Sequence, residues 1–564
     1  MNSPTELAST RSKYWPKGLP VDLHLPRTSL SYNLTVAATR YPDKPAYVYY
    51  ENPFSYSAML RQAEYVAGFL QQRCGVEHGD RVLLMGQTSP QFATAVHAIF
   101  RADAVVVPFN PMNLTEEIAH ALSDSGARVA IVAQELFERI EPLLGDALQH
   151  VVVFAYSDAL AKDIPADVPD WVRAPRRPVA HASASAWVDV QEAALEPSAH
   201  RARSQDAALI CYTSGTTGKP KGCVHTHASL MTAAITPTLW RGDRPDTVVL
   251  GVMPMFHMQG MQSIINSACY VGCTVVLLPR WDVRSAARLI ERYRVHVWGV
   301  SPAMLLDLLA LPDLHDYDIS SLAFINGGGA GFPAAVNKRL TEELGIRYLE
   351  GWGMTETASM AMCNPPDRTK RQCLGIPTFG VEACVIDAET GAVLGDGETG
   401  ELWVTGGQVM RGYWNNPTAD AETFRDIGGR RFMRSGDLVY RDDEGYYFMV
   451  DRLKRMINAS GFKVWPAEVE SMLHHHPAIS EACIIATRDA RRGEAVKAVV
   501  VLRKDYTGAV SEQDLIGWTR EQMASYKCPR SVDFVERLPR GGTGKIDWRR
   551  LQDEEKARVA AVSI

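Results

Sequence analysis

An eleven-residue stretch, Tyr212 to Gly222, combines the residue types that bind phosphate. Its sequence, YTSGTTGKPKG, holds three glycines, four Ser/Thr hydroxyls and two lysines. Glycines let backbone N–H groups approach an anion closely, hydroxyl groups add donors, and lysines supply positive charge. The spacing differs from that of the GxxxxGK[ST] P-loop, because Gly215 and Lys219 are too close together and a proline follows. The apolar run Ala207 to Cys211 precedes the stretch, which predicts a phosphate-binding loop at the end of a buried strand.

Other residues that could take part in chemistry, the histidines and cysteines, lie in less specific sequence contexts. His257 lies between apolar residues, a setting typical of a packed histidine. The run His474 to His476 would point in different directions on a helix, which disfavours a shared metal ion. The ten cysteines form no CxxC pair and no disulfide-like spacing. We therefore predict free buried thiols in a reducing cytoplasm.

Seven ordered motifs identify the chain as a member of the adenylate-forming superfamily of acyl-CoA and aryl-CoA synthetases, luciferases and peptide-synthetase adenylation domains. Besides the loop, the motifs are MPMFHMQG (253–260), NGGGA (326–330), GWGMTET (351–357), SGDL (435–438), DRLKR (451–455) and PRGGTGKI (539–546). The resemblance implies two half-reactions. A carboxylate attacks the α-phosphorus of ATP to give an acyl-adenylate and pyrophosphate, and a thiol then displaces AMP to give a thioester.

The resemblance also implies how ATP would be bound. The loop would hold the β- and γ-phosphates, and Thr355 would donate to the α-phosphate. Glu356 would hold Mg²⁺, a hard ion that prefers oxygen ligands. Trp352 stands where relatives often carry a tyrosine stacked on adenine. Asp437 would bind the ribose hydroxyls, and Arg452 would add a second contact to the ribose or to a phosphate. The other nucleotide contacts would come from Thr213, Ser214, Gly215, Thr216, Thr217, Lys221, Gly328 and Gly329.

The residues expected to move between the two half-reactions lie near the C-terminus. By resemblance, Lys545 would bridge the substrate carboxylate and the α-phosphate in the first half-reaction, a role that suits a point charge on a long stem. Lys454 would be the hinge between two domains, where the backbone absorbs a rotation. After that rotation, Ser460 and Gly461 would line a tunnel for the pantetheine arm of coenzyme A. His257 would be an aromatic gate near the acyl carbon.

The elements that must position these residues alternate between helix and strand. Strands are predicted at Arg81–Met85, Ala104–Phe109 and Val129–Ala133, with helices between them, and this alternation indicates parallel βαβ units. The predicted class is α/β. A large N-terminal AMP-binding domain of layered sheets plus a β-rich subdomain takes residues 1–450, and a small mobile α+β domain takes 451–564. Residues 161–204, rich in Pro, Ala and Ser, are predicted to be a surface excursion.

Composition excludes several classes of protein. The 564 residues are 46% hydrophobic and 22% charged, which is ordinary for a globular protein and excludes a largely disordered chain. No apolar run approaches the roughly 20 residues that span a bilayer, and Met1 to Lys17 lacks the apolar segment of a secretory signal. No Lys/Arg run is interleaved with aromatic residues, so we expect no nucleic-acid partner.

Identity of the acid is less well defined by the sequence. Predicted pocket walls are residues 300–304, 326–331 and 354–360, and their methionines suit a flexible or flat apolar acid. The chain is most similar to bacterial fatty acyl-CoA synthetases, so we predict a medium- to long-chain fatty acid, with ATP, Mg²⁺ and coenzyme A. An aryl-acid CoA ligase and a free-standing enzyme that loads a carrier protein are the alternatives. An inactive acyl-binding protein is the alternative from another class, and a homodimer is left open.

Overall fold

The computed structural model describes residues 14–161, 168–213, 220–328, 336, 338–459, 462–489, 493–541 and 545–562. The chain folds into two units. The first consists of Met1–Ala383 and Val404–Met433, and the second of Cys384–Trp403 and Arg434–Ile564. The second unit contains the predicted mobile domain of residues 451–564 and additional strand residues that precede it. The domain boundary at residue 450 stays a prediction.

The strands are numbered here in chain order. They are β1 Pro45–Tyr49, β2 Asn52–Ser55, β3 Arg81–Met85, β4 Val105–Phe109, β5 Val129–Ala133, β6 His150–Phe154, β7 Ala184–Ala186, β8 Ala207–Thr213, β9 Lys221–Thr226, β10 Val248–Gly251, β11 Thr274–Leu277, β12 Val297–Gly299, β13 Phe324–Gly328, β14 Arg347–Met354, β15 Ser359–Cys363, β16 Ile376–Pro377, β17 Glu382–Ile386, β18 Thr399–Thr405, β19 Gly412–Tyr413, β20 Phe424–Ile427, β21 Arg430–Arg441, β22 Tyr447–Arg452, β23 Ile457–Ala459, β24 Phe462–Val464, β25 Ile479–Asp489, β26 Gly493–Leu502 and β27 Ser531–Phe534.

The α-helices are numbered in the same way. They are α1 Ser31–Arg40, α2 Tyr56–Gln72, α3 Pro90–Arg101, α4 Thr115–Ser125, α5 Phe137–Ile140, α6 Asp170–Arg173, α7 Trp187–Glu192, α8 His227–Arg241, α9 Met258–Gly260, α10 Ala268–Val271, α11 Val283–Tyr293, α12 Pro302–Ala310, α13 Pro417–Thr423, α14 Pro466–Leu473, α15 Glu512–Gln522 and α16 Trp548–Val562. A π-helix, Met261–Ser267, joins α9 to α10.

Two large sheets form the first unit in the described part of the chain. One has the order β16-β15-β14-β13-β12-β10-β11-β1-β2, and the other β19-β9-β8-β4-β3-β5-β6-β7. Pairs such as β3–β4, β3–β5, β12–β13 and β13–β14 are parallel, and helices such as α3 make the crossovers. The central strands are buried nearly throughout, which explains why the sequence shows them as continuous apolar runs. Carboxyl ends of parallel strands share one edge, so β12, β13 and β14 end together there.

Two smaller sheets follow in the described residues. In one, β17-β18-β21-β20 are neighbours and β22 pairs with β21. In the other, the order is β24-β23-β26-β25, with β27 parallel to β26. Helices α14 and α15 pack on this last sheet around a core that includes Val469, Leu473 and Ile484. Helix α16 packs on β25 against a second cluster that includes Ile485 and Leu551. The C-terminal part is therefore an α+β structure.

Most of these elements agree with the sequence prediction, and the α/β class is confirmed. Strands Arg81–Met85 and Val129–Ala133 have the predicted bounds. The prediction of a surface excursion over residues 161–204 is confirmed only in part: most of its described residues keep contact with solvent, but β7 pairs with β6 and α7 buries Trp187 and Val190. Two apolar side chains in a six-residue helix are too few to show a period. Their burial depends on distant parts of the chain.

Candidate functional site

The predicted phosphate loop joins the two strands of a hairpin. Strand β8 ends at Thr213 and β9 begins at Lys221, and these two residues face each other in the antiparallel register. The hydroxyl of Thr213 donates to the carbonyl oxygen of Lys221 at 3.5 Å. The hairpin thus fixes where the loop starts and ends. Four of the predicted contacts lie outside the described residues: Ser214, Gly215, Thr216 and Thr217.

Thr355 and Glu356 lie in a short 3₁₀ turn, Thr355–Thr357, directly after the carboxyl end of β14. Thr357 closes the turn, because its hydroxyl accepts from Met354 N at 2.9 Å. From strand β9 of the other large sheet, His225 Nε2 donates to the carbonyl oxygen of Thr355 at 2.7 Å. Desolvation by burial lowers the pKa of His225 to about 4, so the ring is a neutral donor near pH 7. The loop hairpin and the Thr355–Glu356 turn are thereby joined.

Tyr413 contacts both Glu356 and Lys221. The Glu356 residue is buried, 8% exposed, and Tyr413 Oη donates to its Oε1 at 2.9 Å. The ammonium of Lys221 lies 5.2 Å from the centroid of the Tyr413 ring. Burial, and next the negative charge of Glu356, raise the pKa of Tyr413 well above its usual value. The phenol therefore stays a protonated donor across the pH range in which enzymes work.

A strap formed by Gln408–Trp414 fixes these groups from one side. Three of its backbone N–H groups donate to carbonyl oxygens of Glu356 at 2.8 Å, Val224 at 2.9 Å and Gly222 at 2.7 Å. The donors, in that order, are Met410, Arg411 and Trp414. None of the seven sequence motifs includes this strap. Strand β19 inside it has two residues, which is too short for any periodicity, and the weak available signal was the polar aromatic Tyr413 next to Gly412.

Glycines let the strands beside this turn approach closely. A Cβ on Gly328 would lie 2.5 Å from the carbonyl oxygen of Gly351, and one on Gly327 would lie 2.5 Å from Tyr348 Oη. Trp352 follows on β14 and is 7% exposed, so its side chain is mostly buried. Gly329 lies outside the described residues.

His257 precedes α9, and its ring packs on Phe256 with centroids 4.6 Å apart. Desolvation lowers the pKa of His257 to about 4, so the imidazole is neutral near pH 7. Within the described ranges, its buried Nε2 has no hydrogen-bond partner. A neutral ring of this kind suits an apolar wall better than proton transfer.

Asp437, Arg452 and Lys545 are neighbours in the second unit. Asp437 on β21 faces Arg452 on β22, and Arg452 Nε lies 3.1 Å from Asp437 Oδ1. Gly541 N donates to the carbonyl oxygen of Lys545 at 2.9 Å, which closes the base of the Gly/Thr loop. Lys545 keeps contact with solvent, yet surrounding protein atoms partly desolvate its ammonium and lower its pKa. The charge of Arg452 lowers that pKa further, and Asp437 opposes both effects.

The predicted hinge falls in a 3₁₀ turn, Leu453–Arg455. On its N-terminal side, the buried Asp451 accepts from Ala467 N at 2.7 Å. On its C-terminal side, Arg455 forms an ion pair with Glu470. The turn is therefore held at both ends by residues of α14. The Lys454 side chain, Ser460 and Gly461 lie outside the described residues.

Residues 34–414 match the AMP-binding enzyme family, and residues 468–545 match the AMP-binding enzyme C-terminal domain. The long-chain-fatty-acid–CoA ligase of Bacillus subtilis (strain 168) is 32% identical over 556 residues, which cover 96% of this chain and 97% of that protein. The feruloyl-CoA synthase of Amycolatopsis sp is 33% identical over 495 residues, 87% of this chain and 92% of that protein. ATP-bound MatB from Rhodopseudomonas palustris has a TM-score of 0.82 at 27% identity, covering 94% of this chain and 99% of that one.

The layered parallel sheets and the loop hairpin beside an acidic turn define an enzyme of the adenylate-forming class. The chain belongs to the AMP-binding enzyme family, which confirms the superfamily predicted from the motifs. Within that superfamily it is an acyl-CoA ligase. None of the described helices combines the length and apolar character that crossing a bilayer requires.

Proposed function

We propose that the protein activates a medium- to long-chain fatty acid with ATP, forms an acyl-adenylate, and transfers the acyl group to coenzyme A with release of AMP. The observation that carries the proposal is the cluster of Lys221, Glu356 and Tyr413 beside the loop hairpin. It gathers a cation, a buried carboxylate and a fixed donor where the motifs place the triphosphate. The fatty-acid part is supported by the full-length similarity to a long-chain-fatty-acid–CoA ligase.

In the first half-reaction, Lys221 and the hydroxyl of Thr213 would bind phosphate oxygens at the base of the loop. Thr355 would donate to the α-phosphate from its turn after β14. Lys545 would bridge the acid and the α-phosphate, and its partial desolvation strengthens its attraction to an anion. Asp437 and Arg452 would bind the ribose from β21 and β22.

A divalent cation fits the Glu356 side of this cluster. The carboxylate is buried, and Tyr413 approaches it with an uncharged phenol that leaves its negative charge in place. In the described residues, no three His, Cys, Asp or Glu side chains form a metal-binding group, so the ion would depend on Glu356 and on oxygens of the nucleotide. When bound, Mg²⁺ would neutralise charge on the phosphates.

In the second half-reaction, the C-terminal domain would rotate about the Leu453–Arg455 turn. Lys545 would leave, and Ser460 and Gly461 would line the path of the pantetheine arm. His257 would act as a neutral aromatic gate near the acyl carbon. Cytoplasmic location and a homodimer stay predictions.

An aryl acid is the second candidate substrate, because the feruloyl-CoA synthase relative is 33% identical over 87% of the chain. Pyrophosphate release should be measured over a panel of saturated fatty acids, cinnamic acids and benzoic acids. Thioester formation should then be measured with coenzyme A and, separately, with a carrier protein. We expect the highest kcat/KM for a fatty acid with coenzyme A. Higher values for cinnamic acids would favour the aryl alternative, and no release with any acid would contradict the proposal.

A further inference from the structure

Tyr413 occupies a position that none of the predicted roles explains. Its hydroxyl contacts the carboxylate expected to hold the divalent cation, and its ring lies under the ammonium expected to hold phosphate. A distance of 5.2 Å from ammonium to centroid lies within the range in which a ring face attracts a cation. One side chain thus contacts both charged groups of the proposed triphosphate site.

The backbone of Tyr413 is held rigidly. Its N–H donates to Asp420 Oδ1 at 2.7 Å, and the residue pairs with Cys223 across β19 and β9. A Cβ at the preceding Gly412 would lie 2.4 Å from Asp420 Oδ2, so only glycine leaves room for this carboxylate without a shift. The fixed backbone therefore orients the Tyr413 side chain, and this orientation does not depend on a bound ligand.

The chemistry of a phenol suits this position. Lysine or arginine at the same place would pair with Glu356 and cancel the charge that a cation needs. A protonated tyrosine instead orients the carboxylate through Oε1 and adds no charge. The negative face of its ring meanwhile restrains the flexible stem of Lys221, which would otherwise lose side-chain entropy when phosphate binds.

The geometry points to Tyr413 as a positioning residue that orients Glu356 toward Mg²⁺ and Lys221 toward phosphate, so that one side chain couples metal binding to nucleotide binding. This inference rests on the proposed function, since it takes the ligand to be Mg²⁺ with a nucleoside triphosphate. The two effects come from different groups of the tyrosine side chain and can be tested by different substitutions. The hydroxyl acts on Glu356, and the ring acts on Lys221.

The test is a calorimetric titration with a non-hydrolysable ATP analogue, once with Mg²⁺ and once with EDTA. For wild type we expect tighter binding with Mg²⁺. Tyr413→Phe keeps the ring and removes the hydroxyl, so it should reduce the strengthening by Mg²⁺ by about three- to tenfold and leave the EDTA affinity nearly unchanged. Tyr413→Leu removes the ring as well and should also weaken binding in EDTA by about two- to fivefold.

Tyr156→Phe is the matched control. Tyr156 Oη donates to Glu135 Oε1 at 2.6 Å, which is another part-buried phenol–carboxylate bond, and no predicted site residue takes part in it. We expect its titrations to match wild type. A Glu356→Gln background supplies the second check, because Tyr413→Phe should have no further effect on Mg²⁺ once the carboxylate is gone. Thermal unfolding of every variant confirms that each is folded when titrated.

Two results would overturn the inference. The first is that Mg²⁺ increases the affinity of Tyr413→Phe for the ATP analogue by a factor within twofold of that for wild type. The second is that Mg²⁺ does not change the affinity of wild type for the analogue. Failure of the proposed function looks different. In that case the titrations follow the expected pattern, yet wild type releases no pyrophosphate with any acid in the panel.

Discussion

At the scale of single residues, burial changes what histidines contribute to stability. Desolvation lowers the pKa of His97, His225 and His257 to about 4, whereas an unfolded chain has histidine pKa values near 6.5. As pH falls from 6.5 toward 4, these histidines become protonated in the unfolded state but stay neutral in the folded state. Folding stability should therefore be full above about pH 6.5 and decline through this window.

His97 offers the clearest test of this pH dependence. It is buried on α3, and neither ring nitrogen has a partner among the described residues. We expect His97→Leu to reduce the loss in free energy of unfolding between pH 7.5 and pH 5 by about 2 kcal/mol. Urea unfolding at both pH values measures it. The exposed His315→Leu is the control, and an unchanged pH difference in His97→Leu would contradict the assignment.

Lys545→Ala should abolish adenylate formation and largely spare thioester formation from supplied acyl-adenylate. Its ammonium would serve only the conformer that faces the phosphates. Loss of such a contact costs about 3–4 kcal/mol of transition-state stabilisation, or roughly 10²–10³ in rate. Single-turnover assays of each half-reaction measure this. Lys504→Ala, at another exposed lysine of the second unit, should leave both halves intact, and equal losses in both halves for Lys545→Ala would count against alternating conformers.

At the scale of elements, apolar strands and amphipathic helices could be predicted from the sequence. Very short elements and contacts between distant segments could not. The apolar composition of runs such as RVLLM at β3 already indicates that these strands are buried. Strand β19 has two residues, and its partners are set by distant chain segments. The motifs singled out Lys221 and Glu356, but Tyr413, which contacts both, follows from packing. A hydrogen bond between residues 57 positions apart leaves no local signal.

Close strand approach near the site gives a stability test at this scale. A Cβ on Gly353 would lie 1.7 Å from the carbonyl oxygen of Ser359, so Gly353→Ala must separate β14 from β15. We expect a loss of at least about 3 kcal/mol in the free energy of unfolding. Gly517, inside α15, has open space around its Cα.

Gly517→Ala should therefore stabilise by about 0.5–1 kcal/mol, because alanine is the better helix former. Urea unfolding of the two glycine variants, made and measured in parallel, checks both signs. Equal destabilisation by the two substitutions would mean that the approach of β15 to Gly353 is not as close as described.

At the scale of the whole molecule, the proposed mechanism requires that two half-reactions share one site through rotation of the C-terminal domain. Lys454→Pro should leave adenylation nearly intact, because Lys454 lies in a 3₁₀ turn, and residues in such turns typically have φ values of about −50 to −70°, which proline accepts. Proline resists the rotation that follows, so the thioester step should be the one that slows. Single-turnover kinetics of each half measures this, since steady-state rates mix the two.

Lys454→Ala is the matched control for the hinge, because it removes the ammonium and keeps the backbone freedom. It should change neither half-reaction appreciably. If Lys454→Ala proves as damaging as Lys454→Pro, the side chain has a chemical role and the rotation takes place at another residue.

Attack of the acid on the α-phosphorus is the central claim, and oxygen-18 transfer tests it most directly. Wild type should be incubated with ATP, coenzyme A and a fatty acid labelled with oxygen-18 in its carboxylate, and the AMP analysed by mass spectrometry. We expect one labelled oxygen in each AMP formed, because the carboxylate oxygen that bonds to phosphorus stays with AMP when the thiol displaces it. Unlabelled AMP, or label found in inorganic phosphate together with ADP, would contradict the acyl-adenylate route.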